Sequence, residues 1–232
     1  MKRVGIIGGM SWQSTIEYYR GLNALSEKYG NGFSTIDIII YSLNFRDIEN
    51  FQRLNDWDSI EKMVSLAAVN LERAGAAFLI IASNTIHKIL PYVKMRVEIP
   101  FLSIVDAIGD EINRRENKKV ALLGTRFTME EKFYIKGLSE KTKAEIIVPE
   151  KKDREIIDRI IFEELTKDII SDKSRSVLLN IIEKLKKDGA DGVILGCTEL
   201  PLIISQEISP ISLFNSTEIH IKKAFEFALK DN

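Results

Sequence analysis

The sequence predicts an α/β protein made of two similar halves, each with a parallel sheet at its core. Short runs rich in Val, Ile and Leu alternate along the chain with longer amphipathic stretches, which is the order of strands connected by helices. The apolar runs are continuous, as in parallel strands that are buried on both faces. Equivalent strand ends also recur at similar spacing, since Gly9 and Ser83 are 74 residues apart and Thr125 and Cys197 are 72 residues apart.

The predicted elements follow this alternation along the chain. In the first half the apolar runs that predict strands are "RVGIIG", "TIDIIIYSL" and "AFLIIAS". The amphipathic stretches there predict helices over residues 14–29 and 57–74 and a short helix from about Thr85. In the second half the predicted strands are "KVALLG", "AEIIVP" and "DGVILG", and helices are predicted from about Met129 and over residues 153–187. A final helix is predicted over residues 218–229.

The two halves are predicted to be two similar α/β domains that face each other. The linker is expected around residues 100–106, and the tail after Pro210 is expected to return to the first half. The first domain then comprises residues 1–100 plus 210–232 and carries Ser83. The second comprises residues 101–209 and carries Cys197.

The charge composition argues against a polyanionic partner. The chain has 33 Lys and Arg residues against 34 Asp and Glu residues, and a net charge of −1 provides no long-range attraction for nucleic acid or an anionic membrane. A single cysteine cannot form an internal disulfide, and two histidines cannot build a dense metal site. We therefore expect a cytoplasmic protein without a structural metal, a nucleic-acid partner or a membrane partner.

The first residues, "MKRVGIIGGMSW", predict a buried strand rather than a signal peptide. Glycines interrupt the apolar run, which lacks the length and the cleavage site of a signal sequence. These glycines, at positions 5, 8 and 9, do not match the dinucleotide motif G-x-G-x-x-G, and no Walker-type motif occurs elsewhere. No segment reaches the about 18 uncharged apolar residues needed to span a bilayer.

Four segments at predicted strand ends are candidates for ligand binding. Ligands of open α/β sheets bind beyond the carboxyl ends of the strands, where loops lead into helix N-termini. Free backbone N–H groups and the helix dipole favour anions such as carboxylates there. The alternative is that the Ser, Thr and Asn side chains in these segments are only helix N-caps. The four segments cover residues 8–11, 83–85, 124–128 and 197–199.

Cys197 is a candidate base or nucleophile because it lies between a predicted strand end and a helix N-terminus. We expect this setting to stabilise the thiolate and to lower the pKa of the thiol below its usual value of about 8.5. The alternative is a buried thiol that acts as a small apolar side chain. His87 follows Ser83 by four residues and would share a helix face with it, so it is expected either to tune the serine or relay a proton, or to cap backbone. His220 is expected to serve packing.

Five stretches together resemble the aspartate/glutamate racemase family of cofactor-independent amino-acid racemases: "VGIIGGMSWQSTIEYYR", "ASNTIHK", "VALLGTRFTM", "IIFEEL" and "GVILGCTELP". The similarity runs in order from about residue 4 to residue 225. It is closest to the branch that has a hydroxyl residue in place of the first catalytic cysteine. The resemblance implies two pseudo-symmetric α/β domains with a cleft, no pyridoxal phosphate or other cofactor, and a homodimer.

The resemblance also implies a two-sided proton-transfer site. In the family, two thiols on opposite faces of the substrate α-carbon remove and return its proton. The second thiol maps onto Cys197, whereas the first maps onto Ser83, because this chain reads "SNTIH" where the common pattern is "CNTAH". A tuned thiol reaches a pKa near the working pH and an unassisted hydroxyl does not. We therefore expect Cys197 to be the strong acid/base and Ser83 the weak partner on the opposite face.

The remaining site residues follow from the same resemblance. Asn84, Thr85, Thr198 and the backbone amides around Glu199 are expected to hold the α-carboxylate. The residues expected to line the side-chain end of the substrate are Met10, Gln52 and Thr125. Arg126 is a further candidate for the distal carboxylate, which a guanidinium binds bidentately, or it faces solvent.

The expected function is a racemase of acidic amino acids that acts without pyridoxal phosphate. Two alternatives remain open at this point. One is a decarboxylase of the same superfamily, for which a single cysteine suffices, and the other is a non-catalytic amino-acid-binding protein. Aspartate and glutamate differ by one methylene, which is worth only about 1–3 kcal/mol in a pocket, so the sequence does not decide between them. The sequence also leaves open which enantiomer faces Cys197, although the hydroxyl-bearing branch favours the L form.

Overall fold

The computed structural model describes residues 1–30 and 34–230 and divides the chain into two compact units. Unit 1 comprises Met1–Ile104 and the chain from His220 onward, and unit 2 comprises Val105–Ile219. Each unit contains a parallel sheet with helices, so the predicted α/β class is confirmed. None of the helices within the described residues is long and apolar enough to cross a membrane.

Unit 1 is built on a three-stranded parallel sheet in which β1 lies between β2 and β3. The strands are β1 (Val4–Gly8), β2 (Ile38–Ser42) and β3 (Phe78–Ile81). The helices that follow them are α1 (Trp12–Tyr29), α2 (Phe45–Arg53), α3 (Trp57–Arg73) and α4 (Leu90–Val93). A 3₁₀ helix, Thr85–Ile89, precedes α4, and a second, Lys94–Arg96, follows it. Leu79 also forms an isolated parallel bridge to Phe101 on the far side of β3.

The buried strand residues of unit 1 divide between two hydrophobic clusters. In β3, Phe78 and Ile80 belong to one cluster, whereas Leu79 and Ile81 belong to the other. This alternation follows from the two-residue repeat of side chains along a strand. Both faces of β3 are therefore covered, which explains why its sequence is a continuous apolar run.

Unit 2 repeats this arrangement with one strand more. Its sheet has the order β5-β4-β6-β7, all parallel. The strands are β4 (Lys119–Gly124), β5 (Glu145–Ile147), β6 (Gly192–Gly196) and β7 (Ser212–Asn215). The helices in this part of the chain are α5 (Ile104–Arg115), α6 (Arg126–Glu130), α7 (Lys132–Lys141), α8 (Lys151–Glu163), α9 (Asp172–Lys187) and α10 (Ser216–Leu229), and 3₁₀ turns cover Leu165–Lys167 and Leu200–Leu202.

Strand register places Ser83 and Cys197 at equivalent points of the two sheets. In unit 1, Ile7 pairs with Ile81, two residues before Ser83. In unit 2, Leu123 pairs with Leu195, two residues before Cys197. The similar spacing seen in the sequence therefore reflects two sheets with the same order and register.

The observed boundaries differ from those expected from the sequence. Residues 210–219 belong to unit 2, because β7 pairs with β6. The return to unit 1 occurs within α10, whose later residues Ile221 and Phe225 pack in one cluster with Tyr18 and Leu22 of α1. The chain leaves unit 1 after Ile104, which lies within the linker expected around residues 100–106 and four residues beyond the expected domain end at residue 100. Pro210 therefore marks the turn before a strand and not the crossing itself.

The helix predictions were also incomplete. The predicted helix over residues 153–187 is two helices, α8 and α9, because Asp168 adopts a left-handed conformation (φ 57°) after a 3₁₀ turn. The first helix begins at Trp12, where Ser11 accepts a hydrogen bond from the Ser14 amide. Helices α2 and α5 were not predicted. The helix expected from Met129 is α6 and α7, of which α6 begins at Arg126.

The turn after β1 requires glycine at position 9. Gly9 has φ +84°, and a Cβ there would lie 2.0 Å from the backbone oxygen of Leu43. We expect Gly9→Ala to lower the free energy of unfolding by more than about 2 kcal/mol, through left-handed strain and a backbone clash together. Urea unfolding of both proteins measures this change. Gly189→Ala is the matched control, because Gly189 has φ +92° and the nearest atom to its Cβ is a Lys119 side-chain carbon at 3.8 Å. Equal losses in the two variants would show that close approach to Leu43 does not matter.

Candidate active site

The polar segment after β3 is buried and continues directly into a short 3₁₀ helix. Ser83, Asn84 and Thr85 are each less than about one-tenth exposed, and Thr85 begins the 3₁₀ helix. Asn84 lies just before this helix and its carbonyl accepts the amide of His87 at 3.2 Å. The carbonyl of Ala82, the residue before Ser83, accepts a hydrogen bond from the hydroxyl of Ser14 at 3.1 Å. Helix α1 thus fixes the backbone from which Ser83 projects.

Both ring nitrogens of His87 form hydrogen bonds with backbone groups. Its Nδ1 lies 2.7 Å from the carbonyl oxygen of Ser83, and its Nε2 accepts the amide of Ile104 at 3.1 Å. Burial first, and then the nearby His220, lower the pKa of His87 to about 3, although the hydrogen bond to the Ser83 carbonyl acts in the opposite direction. The imidazole is therefore neutral near pH 7. This geometry favours the backbone-capping alternative over tuning of the Ser83 hydroxyl or proton relay.

The segment after β6 contains a hydrogen-bonded thiol and carboxylate. The thiol of Cys197 donates to Oε2 of Glu199 over 2.8 Å, and the hydroxyl of Thr198 donates to the same oxygen over 2.7 Å. Cys197 and Glu199 are both buried, whereas Thr198 is half-buried. The carboxylate of Glu199 was not considered in the sequence analysis, which used only its backbone amide. The two-residue separation in "CTE" was the available signal.

The expected lowering of the Cys197 pKa is wrong. Burial raises this pKa well above its ordinary value, and the negative charge of Glu199 and the hydrogen bond that its carboxylate accepts raise it further. A backbone hydrogen bond from Glu199 opposes this increase, but it is the smaller effect. The helix that follows is only a three-residue 3₁₀ turn, Leu200–Leu202, which has little dipole to stabilise a thiolate. Cys197 is therefore a neutral thiol near pH 7.

Met10 and the segment after β1 belong to the interior of unit 1. Met10 is buried in a hydrophobic cluster that includes Ile7 and Ile48. The amide of Gly9 donates to the hydroxyl of Thr15 over 2.8 Å, and that hydroxyl donates to the carbonyl of Ser11 over 3.0 Å. These bonds close the turn between β1 and α1.

The other predicted residues differ in their surroundings. Gln52 is half-buried near the end of α2. Thr125 is the N-cap of α6, because its Oγ1 accepts the amide of Thr128 at 3.4 Å. Arg126 is exposed, and its guanidinium carbon lies 5.6 Å from the centre of the Phe127 ring. The N-cap alternative therefore describes Thr125, and the solvent-facing alternative describes Arg126.

The first turn of α10 is held by polar groups that the sequence analysis did not assign. The side chain of Asn215 accepts the amides of Thr217 and Glu218 at 3.2 and 3.3 Å. The hydroxyl of Ser216 donates to the carbonyl of Leu195 over 2.7 Å. Leu195 precedes Cys197 by two residues, so Ser216 fixes the strand end that carries the thiol. Asn and Ser at the start of a helix are the usual signal for such caps.

Comparison with known proteins identifies the enzyme class. Its named relatives include amino-acid racemases, which are isomerases, and this confirms the enzyme class expected from the sequence. The model of the Asp/Glu/hydantoin racemase family matches residues 7–224. The chain therefore belongs to the Asp/Glu/hydantoin racemase family.

Individual relatives agree with this assignment. A proposed Asp/Glu racemase from Yersinia pestis is 40% identical over 99% of this chain and 100% of its own, with a TM-score of 0.93. An aspartate racemase homologue from Pyrococcus horikoshii OT3 is 41% identical over 99% of this chain and 100% of its own, with a TM-score of 0.87. The broad specificity amino-acid racemase RacX of Bacillus subtilis is 24% identical over 92% of both chains.

The charge of Glu199 is expected to slow alkylation of Cys197, because it raises the pKa of the thiol. Glu199→Gln removes the negative charge and the strong acceptor, so the pKa of Cys197 falls and its thiolate fraction at pH 8 rises. We expect alkylation by iodoacetamide at pH 8 to become at least about tenfold faster, which corresponds to a pKa change of one unit. Mass spectrometry reports this site alone, because the chain has a single cysteine.

Thr198→Val is the matched control for this experiment. It removes the second donor to Oε2 of Glu199 and leaves the negative charge in place. The pH profile of alkylation in this variant is expected to stay close to that of the unsubstituted protein. If Glu199→Gln also leaves the profile unchanged, burial alone raises the pKa of Cys197.

Proposed function

We propose that the protein is a pyridoxal-phosphate-independent racemase of acidic amino acids, aspartate or glutamate or both. Cys197 is the strong acid/base at one face of the substrate α-carbon, and Ser83 is the weak partner at the opposite face. The observation that carries the proposal is the buried hydrogen bond of 2.8 Å between the thiol of Cys197 and Glu199. Family membership and the names of the aspartate racemase homologue and RacX support it.

The Cys197–Glu199 pair provides both states that proton transfer needs. With its pKa raised, the thiol holds a proton that it can deliver to a substrate carbanion. To act as a base, the thiol passes this proton to the carboxylate of Glu199 at the other end of the hydrogen bond. The resulting thiolate removes the α-proton and becomes a thiol again. Acid–base groups placed in this way contribute about 10²–10⁴-fold to the rate.

Ser83 completes the reaction in this proposal, but inefficiently. Its hydroxyl, or a water bound to it, donates a proton to the opposite face of the carbanion, which inverts the α-carbon. Ser83 then recovers a proton from solvent, and Glu199 releases one, so the proton balance closes. The two ring nitrogens of His87 are bonded to backbone and do not assist the hydroxyl. Inversion is therefore expected to be slower than exchange at the Cys197 face.

Carboxylate recognition is assigned to the polar groups that follow the two strand ends. Asn84, Thr85 and Thr198, together with the backbone amide of Glu199, hold the α-carboxylate. These groups are buried or half-buried, and donors oriented before substrate arrives stabilise the charge that develops beside this carboxylate. Gln52 and Thr125 remain candidates for the side-chain end. Met10 packs in the core and Arg126 is exposed, so their part in the proposal is weaker.

A homodimer in the cytoplasm belongs to the same proposal. It derives from the family resemblance and from the near-neutral charge of −1, which offers nothing to an anionic surface. Light scattering coupled to size-exclusion chromatography measures the oligomeric state directly. A measured mass equal to that of one chain would refute the homodimer and would leave the proposed reaction unaffected.

The proposed reaction predicts exchange of the α-hydrogen in D₂O. NMR on L- and D-aspartate and L- and D-glutamate, with chiral analysis of the products, separates exchange from inversion. We expect the unsubstituted protein to show exchange from one enantiomer with slower inversion. Cys197→Ala is expected to lose exchange by at least about 10²-fold, because the strong acid/base is removed. Ser83→Cys is expected to increase inversion at least about tenfold, because a thiol replaces the weak partner.

Ser83→Ala and binding measurements supply the controls. Ser83→Ala is expected to retain exchange at the Cys197 face while inversion falls. Calorimetric binding of these amino acids without exchange from any of the four would refute the racemase and support the amino-acid-binding alternative. Release of CO₂ from a disubstituted malonate, without amino-acid exchange, would support the decarboxylase instead.

A further inference from the structure

We propose that His87 is a positioning residue for Ser83, which it connects to the segment where the chain leaves unit 1. The inference rests on the proposed function for the role of Ser83. It assigns no proton transfer to the imidazole. Its basis is the arrangement of two buried histidines and the backbone groups that they bind.

The two hydrogen-bond partners of His87, the Ser83 carbonyl and the Ile104 amide, define its tautomer. The carbonyl of Ser83 requires a donor, so Nδ1 carries the proton, and Nε2 then accepts the amide of Ile104. Ile104 is the first residue of α5, and the first N–H groups of a helix have no partner within the helix. One ring therefore caps α5 and holds the backbone of Ser83 at the same time.

His220 makes the complementary pair of bonds. Its Nε2 donates to the carbonyl of Leu102 over 3.0 Å, and its Nδ1 accepts the hydroxyl of Tyr18 at 2.8 Å. The ring is fully buried and lies edge-on to His87, with 5.9 Å between the ring centroids. The two histidines are thus in opposite tautomers, and each holds a different residue of the segment 102–104.

These contacts involve both points where the chain crosses between units. The chain leaves unit 1 after Ile104 and re-enters it at His220. His87 binds the residue at the first crossing, and His220 is itself the residue at the second. Leu102 is also paired with the sheet, since its amide donates to the carbonyl of Leu79 over 2.9 Å. The first crossing segment is thus connected to the Ser83 backbone through the ring of His87, and the second is connected through the rings of His220 and His87.

The chemistry explains why imidazole is used at this position. A buried apolar side chain would leave the Ile104 amide and the Ser83 carbonyl without these partners, and buried polar groups without partners are unfavourable. A primary amide has the wrong length to serve both, because asparagine reaches the place of Nδ1 and glutamine the place of Nε2. Only the ring spans the two groups. The two amide substitutions therefore separate its two bonds.

The test compares His87→Asn with His87→Gln. His87→Asn retains a donor for the Ser83 carbonyl, and His87→Gln retains an acceptor for the Ile104 amide. We expect His87→Gln to lower the ratio of inversion to exchange in D₂O by at least about tenfold, because small misplacements of a reacting group cost up to about 10²-fold. His87→Asn is expected to keep this ratio within about threefold of the unsubstituted value. The exchange rate at the Cys197 face is expected to change less than inversion in both variants.

Asp153→Asn controls for a general loss of stability. Asp153 is buried in unit 2 and paired with Lys184 at 2.9 Å, whereas both histidines belong to unit 1. This variant is expected to unfold at lower urea concentration and to keep the ratio of inversion to exchange. If all three variants change exchange and inversion in parallel with stability, His87 is only structural and the inference is wrong.

A spectroscopic readout separates this inference from the proposed function. Ring ¹⁵N shifts near neutral pH are expected to show the Nδ1–H tautomer for His87 and the Nε2–H tautomer for His220. The amide signals of residues 83–85 are expected to move in His87→Gln and to stay near their original positions in His87→Asn. Absence of exchange in the unsubstituted protein with these signals as expected would refute the racemase but retain the link from His87 to the Ser83 backbone. The opposite tautomer for His87 would refute that link whatever the activity.

Discussion

The parallel register of β1 with β3 and of β4 with β6 is the constraint on which the candidate site depends. Pairing with β1 ends at Ile81, two residues before Ser83, and pairing with β4 ends at Gly196, one residue before Cys197. A shift by one residue would turn each of these side chains to the other face of its sheet. The continuous burial of the strands prevents such a shift, because both faces are packed.

Buried polar groups then set the backbone at each strand end. The hydroxyl of Ser14 binds the carbonyl of Ala82, and the hydroxyl of Ser216 binds that of Leu195. Both hydroxyls come from the beginning of a helix that follows a neighbouring strand. The two units thus use the same kind of contact, a serine near a helix start bound to a carbonyl at a strand end, to hold the segments that carry Ser83 and Cys197.

Cys197 and Ser83, the two proposed proton-transfer residues, differ in their electrostatic surroundings. Cys197 donates to a carboxylate and is buried, so its pKa is raised and the thiol is neutral. Ser83 has its carbonyl bound by an imidazole that is itself neutral. In the proposed reaction, Glu199 is the group with which Cys197 shares its proton. This asymmetry agrees with one strong and one weak proton-transfer group.

The sequence by itself determined the α/β class, the two similar halves and the family. These features depend on local pattern and on spacing along the chain, which the sequence states directly. The tertiary structure decided the place of residues 210–219 through the pairing of β7 with β6, and the two backbone bonds of His87. It also decided the direction of the Cys197 pKa, which the sequence analysis assigned wrongly from a helix dipole. That direction depends on burial and on which Glu199 oxygen meets the thiol, and both arise only when distant segments pack together.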